Sequence, residues 1–206
     1  MSLFITFEGG EGGGKSVQAK ALYRRLSKVG VPVLLTHEPG GTPFGRRIGR
    51  WLKWAQDTNV SPLAELMLFN AARAQSVAEV IKPALEDGKV VISDRYADST
   101  TVYQGYGRNL DLAMVKAVNK AATQGLAPDL TVLLDAPVEV CFARKGECKP
   151  DRFEQEAISF HNKVREGYLK LASEELKRWL VVDASQSKTR IAEIIWQRVS
   201  QLLPKA

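Results

Sequence analysis

The sequence predicts an α/β fold: a five-stranded parallel sheet flanked by helices. Three observations predict it. Five short runs are apolar along their whole length, rather than alternating as a half-exposed strand would. A helical pattern separates each run from the next. No internal repeat, long linker or low-complexity tract interrupts the order. With 206 residues, 45% hydrophobic and 25% charged, the chain can bury one substantial core, and it is read as one domain spanning 1–206.

The elements follow in order. Leu3 to Phe7 is a buried strand, and Ser16 to Lys28 is a helix with Ala19, Leu22 and Leu26 on one face, closed by Gly30. Val31 to Thr36 is a second strand, with Pro32 near its start, where a missing donor matters least. Phe44 to Trp54 is helical. Ser61 caps a longer helix with Pro62 in its first turn, continuing through Leu66, Phe69, Arg73, Val77 and Val80. Pro83 ends or kinks this helix before Asp87 and Gly88.

Val90 to Ser93 is the third strand, with Asp94 at its carboxyl end, and Asp111 to Thr123 is a helix. Leu130 to Asp135 is the fourth strand, followed by a short helix from Val138 to Arg144. A longer helical region from Asp151 to Lys177 is interrupted at Gly167. Trp179 to Asp183 is the fifth strand, and Thr189 to Leu203 the last helix. In such a sheet ligands bind beyond the carboxyl ends of the strands. Those ends here carry 8–16, 38–42, 94–95, 135–137 and 183–187.

The first strand end carries the chemistry. Phe7-Glu8-Gly9-Gly10-Glu11-Gly12-Gly13-Gly14-Lys15-Ser16 lies between a strand and a helix, the context of a phosphate-binding loop. Gly9, Gly10, Gly12, Gly13 and Gly14 let backbone N–H groups face phosphate oxygens. Lys15 adds a point charge, Ser16 reaches a magnesium ion, and Val17 lies in the helix turn whose positive end faces the ligand. A nucleoside triphosphate is the first partner to expect, and a three-layer P-loop NTPase the expected fold.

The remaining bulk features narrow the class. Twenty-nine basic residues against 23 acidic ones give +6, which suits an anionic small molecule, and no nucleic-acid-binding module is visible. Cys141 and Cys148 form neither a metal pair nor a disulfide framework, and read as free thiols of a reducing compartment. No signal peptide or membrane span is evident, so a soluble, cytoplasmic protein without membrane or nucleic-acid partners is expected. A GTP switch would carry an Asn/Thr-Lys-x-Asp stretch. Asn119-Lys120-Ala121-Ala122 lacks the Asp.

The stretch from Asp94-Arg95-Tyr96 through Ser99, Thr100, Tyr103 and Gln104 follows the third strand. With Glu38-Pro39-Gly40-Gly41-Thr42, the middle-helix residues Phe69, Arg73 and Gln75, and Asp151-Arg152-Phe153-Glu154, it resembles the thymidylate kinase family over nearly the whole chain. The resemblance implies a nucleoside monophosphate kinase fold. It implies transfer of the γ-phosphoryl group of ATP to deoxythymidine 5′-monophosphate (dTMP), with magnesium, by a homodimer.

It also implies roles. Lys15 cradles ATP phosphates, while Ser16 and Asp94 hold magnesium. Arg95 bridges donor and acceptor phosphates, where a guanidinium fork does what lysine cannot. Phe69 stacks on thymine, and Arg73, one turn on, hydrogen-bonds it. Ser99, Thr100 and Gln104 read the base, and Tyr103 packs under the deoxyribose. Glu11 faces the 3′-hydroxyl, and Glu38, followed by Pro39, organises magnesium-bound water or an arginine. Arg144 and Arg152 belong to a lid at about 142–153 that closes over the ATP phosphates, with Lys145 and Lys149 as further cations. Arg144, Ser185 and Gln186 are placed near adenine.

Some positions depart from the family pattern. His37 and Gly49 stand where arginine is usual, Ala72 where Asp is usual, and Ser76 where His is usual. Arg46 or Arg50 would then have to serve the acceptor phosphate. A kinase for another nucleoside monophosphate, a nucleotide switch and a nucleic-acid-associated ATPase are the alternatives.

Overall fold

The computed structural model describes residues 2–55, 58–144 and 149–203. Five strands, β1 (Leu3–Glu8), β2 (Val33–His37), β3 (Val90–Asp94), β4 (Leu130–Asp135) and β5 (Trp179–Asp183), form one sheet in the order β2-β3-β1-β4-β5. All four pairings are parallel. The central strand β1 is buried along its length, so each face carries its own core.

One face takes Leu3, Ile5 and Phe7 against Ala19, Leu22 and Leu26 of α1 (Lys15–Lys28) and Ile191, Ile195 and Val199 of α9 (Lys188–Ser200). Fully burying each such large side chain contributes about 1.5–3 kcal/mol. The other face turns Phe4, Thr6 and Glu8 toward the opposite helical layer. There α8 (Ile158–Glu174) packs Val164, Tyr168 and Leu171 against Leu133. Phe4 and Val91 meet Val77, Ile81 and Ala84. Sheet and two helical layers make the predicted three-layer fold.

The elements differ from expectation where a donor is already spent or a backbone comes close. The second strand begins at Val33, because the Val31 N–H closes α1 by donating to the Leu26 carbonyl at 3.0 Å. The helix starting at Ser61 runs as α3 (Pro62–Ser76), then a π-helical segment Val77–Ile81, then α4 (Lys82–Glu86). Pro83 does not end it. The widened turn sits just before the proline, where an i→i−4 donor is missing.

A second π-helical segment, Thr101–Gly107, follows the short α5 (Ala97–Thr100). No helix is expected here from the sequence, because two glycines and three β-branched residues over 97–107 give no propensity signal. Helix α6 (Leu112–Thr123) is capped by Asp111, which accepts from Met114 N at 2.7 Å. Helix α7 spans Val138–Ala143. The interrupted helix expected over Asp151 to Lys177 is instead a turn followed by unbroken α8. Asp151 Oδ1 holds that turn by accepting from the N–H groups of Phe153 and Glu154. Gly167 lies inside α8 because a Cβ there would stand 2.8 Å from the Tyr106 ring. It marks close packing, not a break.

Candidate active site

At the carboxyl edge of the sheet, the loop after β1 and the end of β3 face each other. Lys15 is buried, and its Nζ donates to the carbonyls of Gly9 (3.0 Å) and Gly10 (2.7 Å), so the side chain folds back over its own loop. Burial, with the nearby Arg95 charge, lowers its pKa to about 8. Ser16 Oγ donates to Asp94 Oδ2, bringing two hard oxygen donors together. Gly12, Gly14, Lys15, Ser16, Val17 and Asp94 line a wide cleft of about 1740 Å³, its open mouth included. Gly13 closes the loop by donating to the Gly10 carbonyl.

A second cleft of about 570 Å³ gathers Phe69, Arg73, Ser99, Thr100, Tyr103 and Gln104. Helix α3 supplies Phe69 and Arg73 from one face, four residues apart. The π-helical segment supplies Tyr103 and Gln104. Phe69 packs on Phe153 with ring centroids 5.6 Å apart. Arg73 is 2% exposed and donates to Glu38 Oε2 at 2.8 Å, to Asn70 and Asn119 Oδ1 at 3.1 Å, and to the Tyr96 carbonyl at 3.0 Å. Four of its five N–H groups are thus engaged, leaving one for a ligand. Glu38 keeps a second oxygen, Oε1, buried with no hydrogen-bond partner among the described residues, and burial raises its pKa despite Arg73.

Glu11, Glu38, Pro39, Lys53 and Arg95 line both clefts. Arg95 sits at this junction in a left-handed backbone conformation, φ 74°. Its N–H bonds the Phe7 carbonyl at 2.9 Å, and its carbonyl accepts from Ser93 Oγ at 2.7 Å. Strain of this kind is stored where structure aims a functional group. The guanidinium reaches Glu11 Oε1 at 2.5 Å and, more loosely, the Tyr103 hydroxyl at 3.4 Å. Burial opposes its charge, but Glu11 and the surrounding oxygens more than offset this, and its pKa is raised.

Beneath Arg95 lies Glu8, fully buried. It accepts from Tyr96 N at 2.8 Å, Ser99 Oγ at 2.6 Å and the Tyr168 hydroxyl at 2.9 Å. Burial and the Asp98 charge raise its pKa to about 7. The Ser99 hydroxyl, expected to read a base, is therefore shared among Glu8, Tyr168 and Arg95.

Seven expected site residues stand outside both linings: Gly9, Gly10 and Gly13, which are present in the loop backbone, and Arg144, Arg152, Ser185 and Gln186. Ser185 turns its N–H and Oγ to Asp183 Oδ1, a local turn, with Gln186 beside it. Arg144 is exposed at the end of α7. Arg152 stands behind the smaller cleft, against its lining residue Phe153, rather than over the Lys15 loop. Its Nη2 pairs with Glu65 at 2.6 Å, Nε donates to the Leu52 carbonyl at 2.9 Å, and it covers the Phe153 ring. The buried Glu65 carboxylate, which also takes Gln104 Nε2 at 2.7 Å and Arg108, holds it there. Lys145 and Cys148 lie outside the described residues. Cys141 is buried and free.

A profile of the thymidylate kinase family matches residues 7–195. A thymidylate kinase of Dehalococcoides mccartyi (strain ATCC BAA-2266 / KCTC 15142 / 195) is 56% identical over 203 residues, 98% of both chains. The chain belongs to the thymidylate kinase family. A thymidylate kinase of Geotalea daltonii is 50% identical over 93% of this chain and 94% of its own. The crystal structure of thymidylate kinase from Ehrlichia chaffeensis superposes with a TM-score of 0.79 at 31% identity, covering 98% of this chain and 99% of that one.

Sequence reasoning about the thymidylate kinase motifs missed three contributors. Lys53 lies four residues beyond Gly49, hence on the same face of α2 (Pro43–Trp54), a signal that the departure at Gly49 offered. Glu65 precedes Phe69 by the same spacing. Phe153 was quoted as part of a motif, but its place on the cleft wall depends on a tertiary contact that the sequence does not encode locally.

Proposed function

We propose that the two clefts are the acceptor and donor halves of one phosphoryl-transfer site. The enzyme phosphorylates dTMP with ATP, giving deoxythymidine diphosphate and ADP. Thymine enters between Phe69 and Arg73, deoxyribose lies against Tyr103 with its hydroxyl toward Glu11, and Thr100 and Gln104 edge the base. The ATP phosphates lie over Gly9 to Val17. The observation that carries this reading is the junction: Arg95 and Glu11 line both clefts, so two phosphates can meet at one guanidinium.

Catalysis in this arrangement is positioning and charge neutralisation. Lys15 leaves the Gly9 and Gly10 carbonyls for phosphate oxygens, a stronger acceptor set. Arg95 holds acceptor and transferring oxygens in a fixed fork. Among the described residues no group of three or more acidic, histidine or cysteine side chains forms a metal cage. Magnesium needs none, since it binds through one or two carboxylates together with phosphates and water. Ser16 and Asp94 fit that pattern, and the ion, when bound, neutralises charge on the phosphate oxygens.

Arg144 is assigned to the lid, with the loop at Ser185 and Gln186 near adenine. Arg152 acts from its Glu65 pairing by shaping the acceptor wall. A homodimer is assigned to the face where Phe44, Trp51, Leu63 and Met67 are each 44–47% exposed, with sedimentation velocity as its check. No helix among the described residues is long and apolar enough to cross a membrane, in keeping with a cytoplasmic enzyme.

A coupled assay over dTMP, dUMP, UMP, CMP, AMP and GMP tests the assignment. The expected result is preference for dTMP. Better turnover of AMP or GMP would overturn the acceptor reading while leaving the donor loop intact.

A further inference from the structure

An acceptor monophosphate brings close to two negative charges to the junction and meets further phosphate charge there. Among the five residues lining both clefts, two are cations: Arg95 and Lys53. Arg95 arrives already paired with Glu11, so on its own it leaves the junction short of positive charge. Arg46 and Arg50 line the larger cleft only. A longer cation at Gly49 would have to displace Pro39, because a Cβ there would stand 2.9 Å from Pro39 Cγ and 3.1 Å from the Pro39 carbonyl oxygen.

That close approach also explains why Lys53 is where it is. Glycine lets α2 settle directly on Pro39, and one helical turn later, on the same face, the helix presents Lys53 to the junction. The end of α2 is fixed there: Arg152 N donates to the Lys53 carbonyl at 3.0 Å, and Arg152 Nε to that of Leu52.

We propose that Lys53 is the second acceptor-phosphate cation of this enzyme, exchanging its pairing with Asp151 for the phosphate of dTMP. This rests on the cleft assignment made above. The Lys53 side chain is 47% exposed, and its Nζ stands 3.5 Å from Asp151 Oδ2, a long contact from a side chain with open space on the cleft side, while the Asp151 side chain is only 7% exposed. Asp151 does not collapse when Lys53 departs, because its other oxygen continues to hold the N–H groups of Phe153 and Glu154. The same exchange ties phosphate arrival to the turn that carries Phe153 against Phe69.

The test compares Lys53→Met and Lys53→Arg with the parent enzyme, using dTMP and thymidine, which lacks the phosphate. Lys53→Met is expected to raise KM for dTMP at least tenfold while the Kd for thymidine and KM for ATP stay within twofold. Lys53→Arg, which keeps the charge, is expected to restore KM for dTMP to within threefold. An unchanged KM in Lys53→Met, or an equal loss of thymidine affinity, overturns the proposal. Phe69→Ala separates this from the underlying reading: if it leaves thymidine and dTMP binding intact, the cleft assignment itself is wrong.

Discussion

Arg95 Nη2 lies 2.5 Å from Glu11 Oε1, so the arginine at the meeting point of the clefts is paired with the one acid inside the phosphate-binding loop. Two carbonyl and hydroxyl oxygens, of Gly9 and Ser99, take Nη1 at 3.3 and 3.1 Å. The guanidinium is therefore held in one orientation in the free protein.

Arg95→Ala should lower kcat by at least ~100-fold, the scale of losing a preorganised transition-state donor. Arg95→Lys should recover little of it, because an ammonium cannot span two oxygens in one plane. Steady-state kinetics at saturating ATP and dTMP decides the matter, and near-normal turnover in either variant would remove Arg95 from the transfer step.

Arg73 and Glu38 present a different balance. Both are almost wholly buried, and Arg73 spends four donors on the protein itself. Arg73→Met should destabilise the fold by about 3–5 kcal/mol, leaving a buried carboxylate without its partner. The double variant Arg73→Met with Glu38→Gln should recover part of that loss, since the stranded charge is gone. Urea denaturation of the three variants measures both, and additive losses would show that the pair is not coupled.

How far each residue's place is legible in the sequence depends on what that residue touches. The five strands were legible because buried parallel strands are apolar throughout, and the donor loop because its glycines and Lys15 are contiguous. Gly167 was misread because nothing local distinguishes a helix-breaking glycine from one admitting a neighbouring ring, here Tyr106. Arg73 was legible as a cleft residue, but its commitments to Asn70, Asn119 and Tyr96 come from three separate elements. Arg152 was placed by motif, whereas the buried Glu65, 87 residues away in sequence, decides where it points. The helical stretch over 97–107 escaped because tertiary burial, not propensity, stabilises it.

Glu8 should make stability depend on pH. Its folded pKa of about 7 lies above the ordinary 4.5, so between those values the folded state binds more protons than the unfolded one. Stability is then unaffected below about pH 4.5 and falls as pH rises toward 7, by up to about 3 kcal/mol from this group. Glu8→Gln, which stays neutral, should match the parent near pH 5 and gain on it steadily to pH 8. Thermal unfolding at several pH values reads the difference, and a constant offset would mean that Glu8 titrates normally.

Lys15 should make ATP affinity depend on pH in the alkaline range. Burial and the Arg95 charge lower its pKa to about 8, so in the free enzyme it is charged below that pH and neutral above it. The polyphosphate favours the charged form, and binding therefore pulls its pKa back up. Affinity should hold below about pH 8 and weaken above it, approaching tenfold per pH unit once Lys15 is mostly neutral. The same linkage requires proton uptake, close to half a proton per ATP at the midpoint and approaching one beyond it. Calorimetric titrations in two buffers of different ionisation enthalpy count those protons directly. Affinity that stays flat to about pH 9.5, with no uptake, would show that the ammonium keeps its solution pKa and that the carbonyls of Gly9 and Gly10 already offset its burial.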